Sequence, residues 1–309
     1  MPLDPIAKAI IDQMSAMNVI PLSQMSAVAY RTMSAAVPRP PSTIALAEIS
    51  DRTIPGPDGA LPVRIYKASL DAGQPGLVFF HGGGFVICGL DSHDSLCRAL
   101  SKAVGCTVVS VDYRLAPEAK FPAAVDDAYA ATEWVVQNAA SLGIDAGRIA
   151  VGGDSAGANL ATVSAILMRD LGGARLCHQL LIYPVTDLTC TTESYNLFAR
   201  DYFLTKEMME WFRDHYLPKG HDAADPLASP LHTKNLSGLP SATIVTAEYD
   251  PLRDEGEAYG ARLKAAGVAV DVKRYDGVFH GFFSMAGVLP QADQALAWST
   301  ERLRHAFQA

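Results

Sequence analysis

After residue 60 the chain alternates short apolar runs with longer segments of helical period. The runs LPVRIY (61–66), GLVFF (76–80), CTVVSVDY (106–113), RIAVGG (148–153), HQLLIYP (178–184), SATIVTA (241–247) and VAVDVKRY (268–275) are rich in the Val, Ile and aromatic residues that suit a pleated strand. Between them AAVDDAYAATEWVVQNAASLG (123–143), ANLATVSAILMRDLGG (158–173) and DEGEAYGARLKAAG (254–267) read as helices, the last two closed by glycine in the manner of helix C-caps. Ala295, Leu296, Ser299, Leu303 and Ala306 recur at helical spacing and predict a final amphipathic helix. Strands alternating with helices predict an α/β fold in which helices cover both faces of a mostly parallel central sheet.

Two regions break this alternation. Residues 1–45 are helical in pattern and Met-rich and end in the Pro-rich VPRPPS, and residues 188–230 insert a helix rich in Met and aromatic residues. Neither adds a parallel strand easily, so both are expected to form a helical cap over one edge of a catalytic core made of 46–187 and 231–309.

Composition narrows the function classes. A chain of 309 residues, 49% hydrophobic, buries a large core. The 25 basic and 33 acidic residues give a formal net charge of −8 with no basic block, which argues against a nucleic-acid partner. The first twenty residues are interrupted by Asp4, Lys8 and Asp12 and lack the apolar centre of a secretory signal, so the mature chain is expected to start here. No uncharged apolar run reaches the roughly 18 residues of a membrane-spanning helix. Cys88, Cys97, Cys106, Cys177 and Cys190 form no CxxC pair and no zinc spacing with His, which predicts reduced thiols in a cytoplasmic protein.

The chemistry is carried by two glycine-rich turns. Gly153-Asp154-Ser155-Ala156-Gly157 has the form G-x-S-x-G between a predicted strand and a predicted helix. There a sharp turn strains the serine, projects its hydroxyl from the sheet edge and puts the Ala156 amide at a helix N-terminus. A serine-capped turn without catalytic purpose has a similar appearance, and the strand-to-helix context favours the nucleophile. The second turn, His81-Gly82-Gly83-Gly84-Phe85, directly follows GLVFF. Bare glycine peptides approach a substrate closely, and the Gly83 and Gly84 amides are expected to join that of Ala156 as an oxyanion hole. Neither GxGxxG nor GxxxxGK[ST] is present, which disfavours a phosphate loop. His81 is expected to brace its loop.

HGGGF, DYRLAPE (112–118) with FPAAVDD, GDSAGANLA and DPLRDEG (250–256) together resemble the hormone-sensitive lipase family of α/β-hydrolases, the bacterial family IV esterases. The likeness runs from about residue 50 to the C-terminus with the motifs in the family's order. Ala158 departs from it, standing where the family usually has a second glycine.

A serine needs an imidazole to take its proton, and the hydrolase order of Ser, acid, then His excludes His81 and His93 as the base. His280, after the last predicted strand, is the preferred base; His178 and His305 are poorly placed, and His215, His221 and His232 lie in or near the cap. Asp250 follows a predicted strand, and Asp250-Pro251 is equally an ordinary helix start. The resemblance puts the triad acid at the first Asp of DPLRDEG, which favours Asp250 over Asp254, Glu255 and Asp276. Asp154 is expected to hold the elbow or cap through local hydrogen bonds, and Glu255 to favour the helix N-terminus or brace the triad. The resemblance further implies hydrolysis of short- to medium-chain acyl esters through an acyl-enzyme and an acyl pocket walled by the cap near Phe203, Leu204 and Phe282; serine acyl-transfer chemistry requires no metal or organic cofactor. It allows a homodimer through a sheet edge. Amide hydrolysis or deacetylation on the same triad is the alternative, and a non-catalytic ligand receptor is weaker because Ser155 and His280 are both present.

Overall fold

A computed structural model describes residues 2–16, 22–37 and 41–308. In chain order the elements are α1 (Pro5–Ser15), α2 (Ala27–Ala36), β1 (Glu48–Gly56), β2 (Gly59–Lys67), β3 (Gln74–Phe80), α3 (Asp94–Val104), β4 (Thr107–Val111), α4 (Ala123–Gln137), α5 (Ala139–Leu142), β5 (Ile144–Asp154), α6 (Ala156–Asp170), β6 (His178–Ile182), α7 (Glu193–Leu197), α8 (Lys206–Tyr216), β7 (Ser241–Tyr249), α9 (Arg253–Ala265), β8 (Val270–Phe279) and α10 (Pro290–Ala306). The eight strands form one sheet in the order β1-β2-β4-β3-β5-β6-β7-β8. β2 is antiparallel to both its neighbours and every other pair is parallel. The expected α/β architecture with a mostly parallel sheet is the one observed.

Side chains alternate across a strand, and β3 shows what this does to a continuous apolar run. Val78 and Phe80 enter one core with α4, α6 and α9, while Leu77 and Phe79 enter the other with α3 and α10. Both faces are covered, so GLVFF has no polar position. The glycine ends of α6 and α9 follow from backbone conformation: Gly172 (φ 72°) and Gly267 (φ 82°) are left-handed, and the next amides, of Gly173 and Val268, return to the carbonyls of Met168 and Leu263.

Three expectations change. β1, not anticipated, is an edge strand whose side chains are mostly exposed or half-buried, so its EISDRT stretch lacks an apolar run. The helix expected over 123–143 divides at Asn138 into α4 and α5. The two N-terminal helices separate: α1 buries Ala7 and Ile11 in the core that contains Phe279, Ala292 and Leu303, whereas α2 carries Tyr30 onto Trp211 and Phe212 of α8. Pro38, Arg39 and Pro40 of the Pro-rich link lie outside the described residues, as do Met1 and residues 17–21. Among the described residues no helix is long and apolar enough to cross a membrane.

The sheet order brings separated stretches to one edge. Phe80 of β3 pairs with Gly153 of β5, so the glycine loop and the serine turn leave the sheet side by side. Tyr249 of β7 pairs with Phe279 of β8, which sets Asp250 beside His280. Reaching that register requires a bulge: between the pairs Ala247–Tyr275 and Tyr249–Phe279, β7 advances two residues and β8 four. Gly277 (φ 76°) lies in the bulge, and its amide donates to Glu248 Oε2 at 2.7 Å.

Candidate active site

The serine turn is strained in the way its sequence requires. Ser155 has φ 55° and ψ −118°, a backbone conformation that costs a non-glycine residue about 1–3 kcal/mol. Its amide donates to the Ile182 carbonyl of β6 at 2.9 Å, and its carbonyl accepts from Val185 at 3.2 Å, so the neighbouring strand holds the bend. A Cβ on Gly153 or Gly157 would collide with the Phe80 carbonyl oxygen, which explains the glycines on either side. Ala158 is fully buried in the core, where its methyl is accommodated.

His280 and Asp250 complete a hydrogen-bonded line. Ser155 Oγ lies 3.0 Å from His280 Nε2, and His280 Nδ1 lies 2.7 Å from Asp250 Oδ2. Asp250 is fully buried. Its other oxygen, Oδ1, accepts the Leu252 amide at 2.9 Å, at the start of α9. One carboxylate thus serves both the helix start and the imidazole. With Nδ1–H donated to Asp250, Nε2 presents its lone pair to the Ser155 hydroxyl.

Each glycine of the HGGG loop answers a different neighbour. A Cβ on Gly82 would strike the Asp154 carboxylate, one on Gly83 (φ 117°) the Ile87 carbonyl, and one on Gly84 (φ 59°) the ring of Phe212 in α8. The Gly83 carbonyl accepts from Val86 and Ile87, both at 3.0 Å, which closes the turn. The Gly83 and Gly84 amides donate to no protein acceptor among the described residues. Phe85, also left-handed at φ 63°, is held by stacking on Tyr216 of α8 at a centroid distance of 3.8 Å. Helix α8 therefore braces the glycine loop twice. Arg31 of α2 adds a third brace by donating to the Val86 carbonyl at 2.5 Å.

His81 is buried; it donates from Nδ1 to the Gly82 carbonyl at 2.7 Å and stacks on Tyr113 at 4.3 Å. Burial pushes its pKa down to about 3, so it stays neutral and braces the loop. Asp154 accepts the Gly82 amide and faces His93, which the order of the triad excludes as a base. No periodicity or motif marked that contact. Glu255 accepts the Thr186 and Asp187 amides at 2.7 and 3.1 Å, and burial raises its carboxyl well above the usual range. It therefore fastens the loop after β6 to α9 and does not reach His280 through these bonds.

The expected pocket residues separate. Phe203 is 36% exposed and its ring packs over Gly281, next to His280. Leu204 is buried in the core cluster that also holds Met209 and Phe212 of α8. Phe282 is fully buried among Tyr183, Tyr275 and Phe283, which removes it from the pocket lining. Gly281, which follows His280, is left-handed at φ 89° and turns Phe282 inward.

Residues 77–284 match the sequence profile described as the alpha/beta hydrolase fold. A carboxylic ester hydrolase of Mycobacterium tuberculosis, LipN, is 47% identical over 244 residues, 77% of this chain and 65% of that protein. An ethyl acetate hydrolase of Pseudomonas putida is 43% identical over 83% of this chain and 82% of its own length. The solved structure of a hyperthermophilic esterase from the archaeon Pyrobaculum calidifontis superposes with a TM-score of 0.95 at 42% identity, covering 100% of both chains.

Proposed function

This chain belongs to the α/β hydrolase fold family, as a carboxylic ester hydrolase of the hormone-sensitive-lipase-like group, and from that footing we propose that Ser155, His280 and Asp250 are its catalytic triad. The supporting observation is the continuous line from Asp250 Oδ2 through His280 to Ser155 Oγ, with contacts of 2.7 and 3.0 Å. His280 Nε2 takes the Ser155 proton as Oγ attacks the ester carbonyl, and Asp250 stabilises the imidazolium that forms. The carbonyl oxygen, now negative, is received by the amides of Gly83, Gly84 and Ala156, each preorganised donor contributing about 2.7–4 kcal/mol in comparable sites. His280 then protonates the departing alkoxide, and a water activated by the same imidazole releases the acid from the acyl-enzyme.

The substrate is a small ester with a short to medium acyl chain. The ethyl acetate hydrolase name of the Pseudomonas relative supports the short end of that range. The cap comprises α2 with residues 188–230, through the Tyr30, Trp211 and Phe212 contacts, and α1 belongs to the core layer. Phe203 is the aromatic wall of the acyl pocket beside His280, and Leu204 supports it from behind. Cys97, Cys106, Cys177 and Cys190 are reduced thiols, which supports residence in the reducing cytoplasm. β8 ends the sheet and supports a homodimer joined through that edge.

The test is release of p-nitrophenol from esters running from acetate to palmitate, by wild type and by Ser155→Ala. Serine-dependent turnover with a maximum at short chains is the expected result. Turnover that persists in folded Ser155→Ala removes Ser155 as the nucleophile.

A further inference from the structure

Asp154 precedes the proposed nucleophile and holds a buried carboxylate that the acyl-transfer steps do not use. Its Oδ1 accepts the Gly82 amide at 2.9 Å and faces His93 Nε2 at 3.0 Å. The Gly82 amide also lies 3.4 Å from His93 Nε2, so the ring and the carboxylate both face that N–H. Ser92 Oγ donates its one proton to the Gly89 carbonyl at 2.7 Å and accepts the Gly89 amide at 3.0 Å. Ser92 Oγ also lies 2.8 Å from His93 Nδ1, which anchors the ring on its far side.

The His93 ring and the Gly82 amide both meet Asp154 Oδ1, at 3.0 and 2.9 Å, so one carboxylate oxygen ties the ring to the peptide. Burial pushes the Asp154 carboxyl up, and His93, His81 and the Gly82 amide together outweigh it, leaving the group below the ordinary carboxylate range. Removing the Asp154 carboxylate leaves the buried Gly82 amide without its acceptor at 2.9 Å. Gly82 is a glycine because any Cβ there would meet Asp154 Oδ2.

We propose that the Asp154–His93 pair is a positioning element for the oxyanion loop: by fixing the Gly82 amide it sets the direction in which the Gly83 and Gly84 amides point. The side chains touch no substrate and act through the Gly82 peptide. The His81–Gly82 peptide is bound at its nitrogen by Asp154 and at its carbonyl by the Tyr113 hydroxyl, which donates at 2.7 Å, and His81 Nδ1 donates to the carbonyl of the next peptide, the one that carries the Gly83 N–H. The peptide before the proposed donors is thereby held at both ends. This inference rests on the reading of those amides as oxyanion donors.

The test compares Asp154→Ala, Asp154→Asn, His93→Ala and Ser155→Ala in p-nitrophenyl butyrate hydrolysis, with near-UV circular dichroism to verify folding. Asp154→Ala is expected to lower kcat roughly 10- to 100-fold, short of the loss of a whole oxyanion donor, while KM stays within about threefold. Asp154→Asn recovers at least about fivefold of that loss, because its amide oxygen still accepts the Gly82 N–H. A folded Asp154→Ala with kcat within twofold of wild type, or a loss carried by KM alone, overturns the proposal. If Asp154→Ala does not fold, His93→Ala decides by the same criterion. Turnover retained in Ser155→Ala instead overturns the nucleophile assignment, so the two failures are distinct.

Discussion

Replacing Asp250 by Asn separates the two tasks of that carboxylate. The Asn side chain keeps an oxygen for the Leu252 amide, which Asp250 Oδ1 now accepts at 2.9 Å, and places an NH2 group where Oδ2 meets His280 Nδ1 at 2.7 Å. A donor at that position favours the tautomer with Nδ1 unprotonated and the proton on Nε2, facing Ser155 Oγ at 3.0 Å. His280 in that form cannot accept the serine proton. The same change in serine hydrolases of this geometry lowers kcat about 10⁴-fold, equivalent to about 5 kcal/mol of barrier at 1.36 kcal/mol per tenfold. Stability responds differently, because a helix-start hydrogen bond is worth about 1 kcal/mol and the Asn oxygen retains it. The assay is kcat on p-nitrophenyl butyrate beside urea unfolding. We expect activity to fall by about three to four decades while the unfolding free energy changes by less than about 1 kcal/mol. Full activity with reduced stability would refute the triad role and leave Asp250 as a helix cap alone.

Two further predictions concern buried titratable groups away from the proton relay. Burial raises the Glu255 carboxyl in the folded protein, so folding binds its proton more tightly, and the stability this lends is present below the unfolded carboxyl range and lost as pH rises. Glu255→Gln, which keeps an acceptor for the Thr186 and Asp187 amides, should therefore be more stable than wild type at pH 8 and lose that advantage toward pH 4, as read by urea midpoints. His178, buried between Ser241 and Thr243 hydroxyls, is pushed down from 6.5 to about 4, so the unfolded chain takes up its proton first. Its contribution is full above pH 6.5 and is lost as pH falls toward 4, by about 3 kcal/mol in all, and His178→Gln should flatten that part of the pH–stability curve.

What could be read from the sequence was whatever a short stretch must satisfy by itself. GLVFF announces a strand buried on both faces, and GDSAG and HGGG announce peptide bonds that another backbone approaches, because the collision a Cβ would make with the Phe80 carbonyl, Asp154 or Phe212 forbids every other residue. β1 was hidden by its position at the sheet edge, where water on its outer side permits the charges of EISDRT. Phe282 was misplaced because the side chain after Gly281 is directed by a left-handed glycine, and hydrophobicity does not encode that direction. The bulge in β8 had a local signal in Asp276-Gly277, but its consequence, Tyr249 opposite Phe279, depends on a partner strand with no mark of the pairing in its own sequence. His93 was obscured for the same reason. Its meaning comes from Asp154 on β5 and from Ser92, which meet the two nitrogens of its ring. Groups that perform the bond-breaking steps must be of a few residue types and stand out one at a time. Groups that hold a peptide in place are defined by pairs, and those pairs exist only after the strands β3 and β5 have come into register.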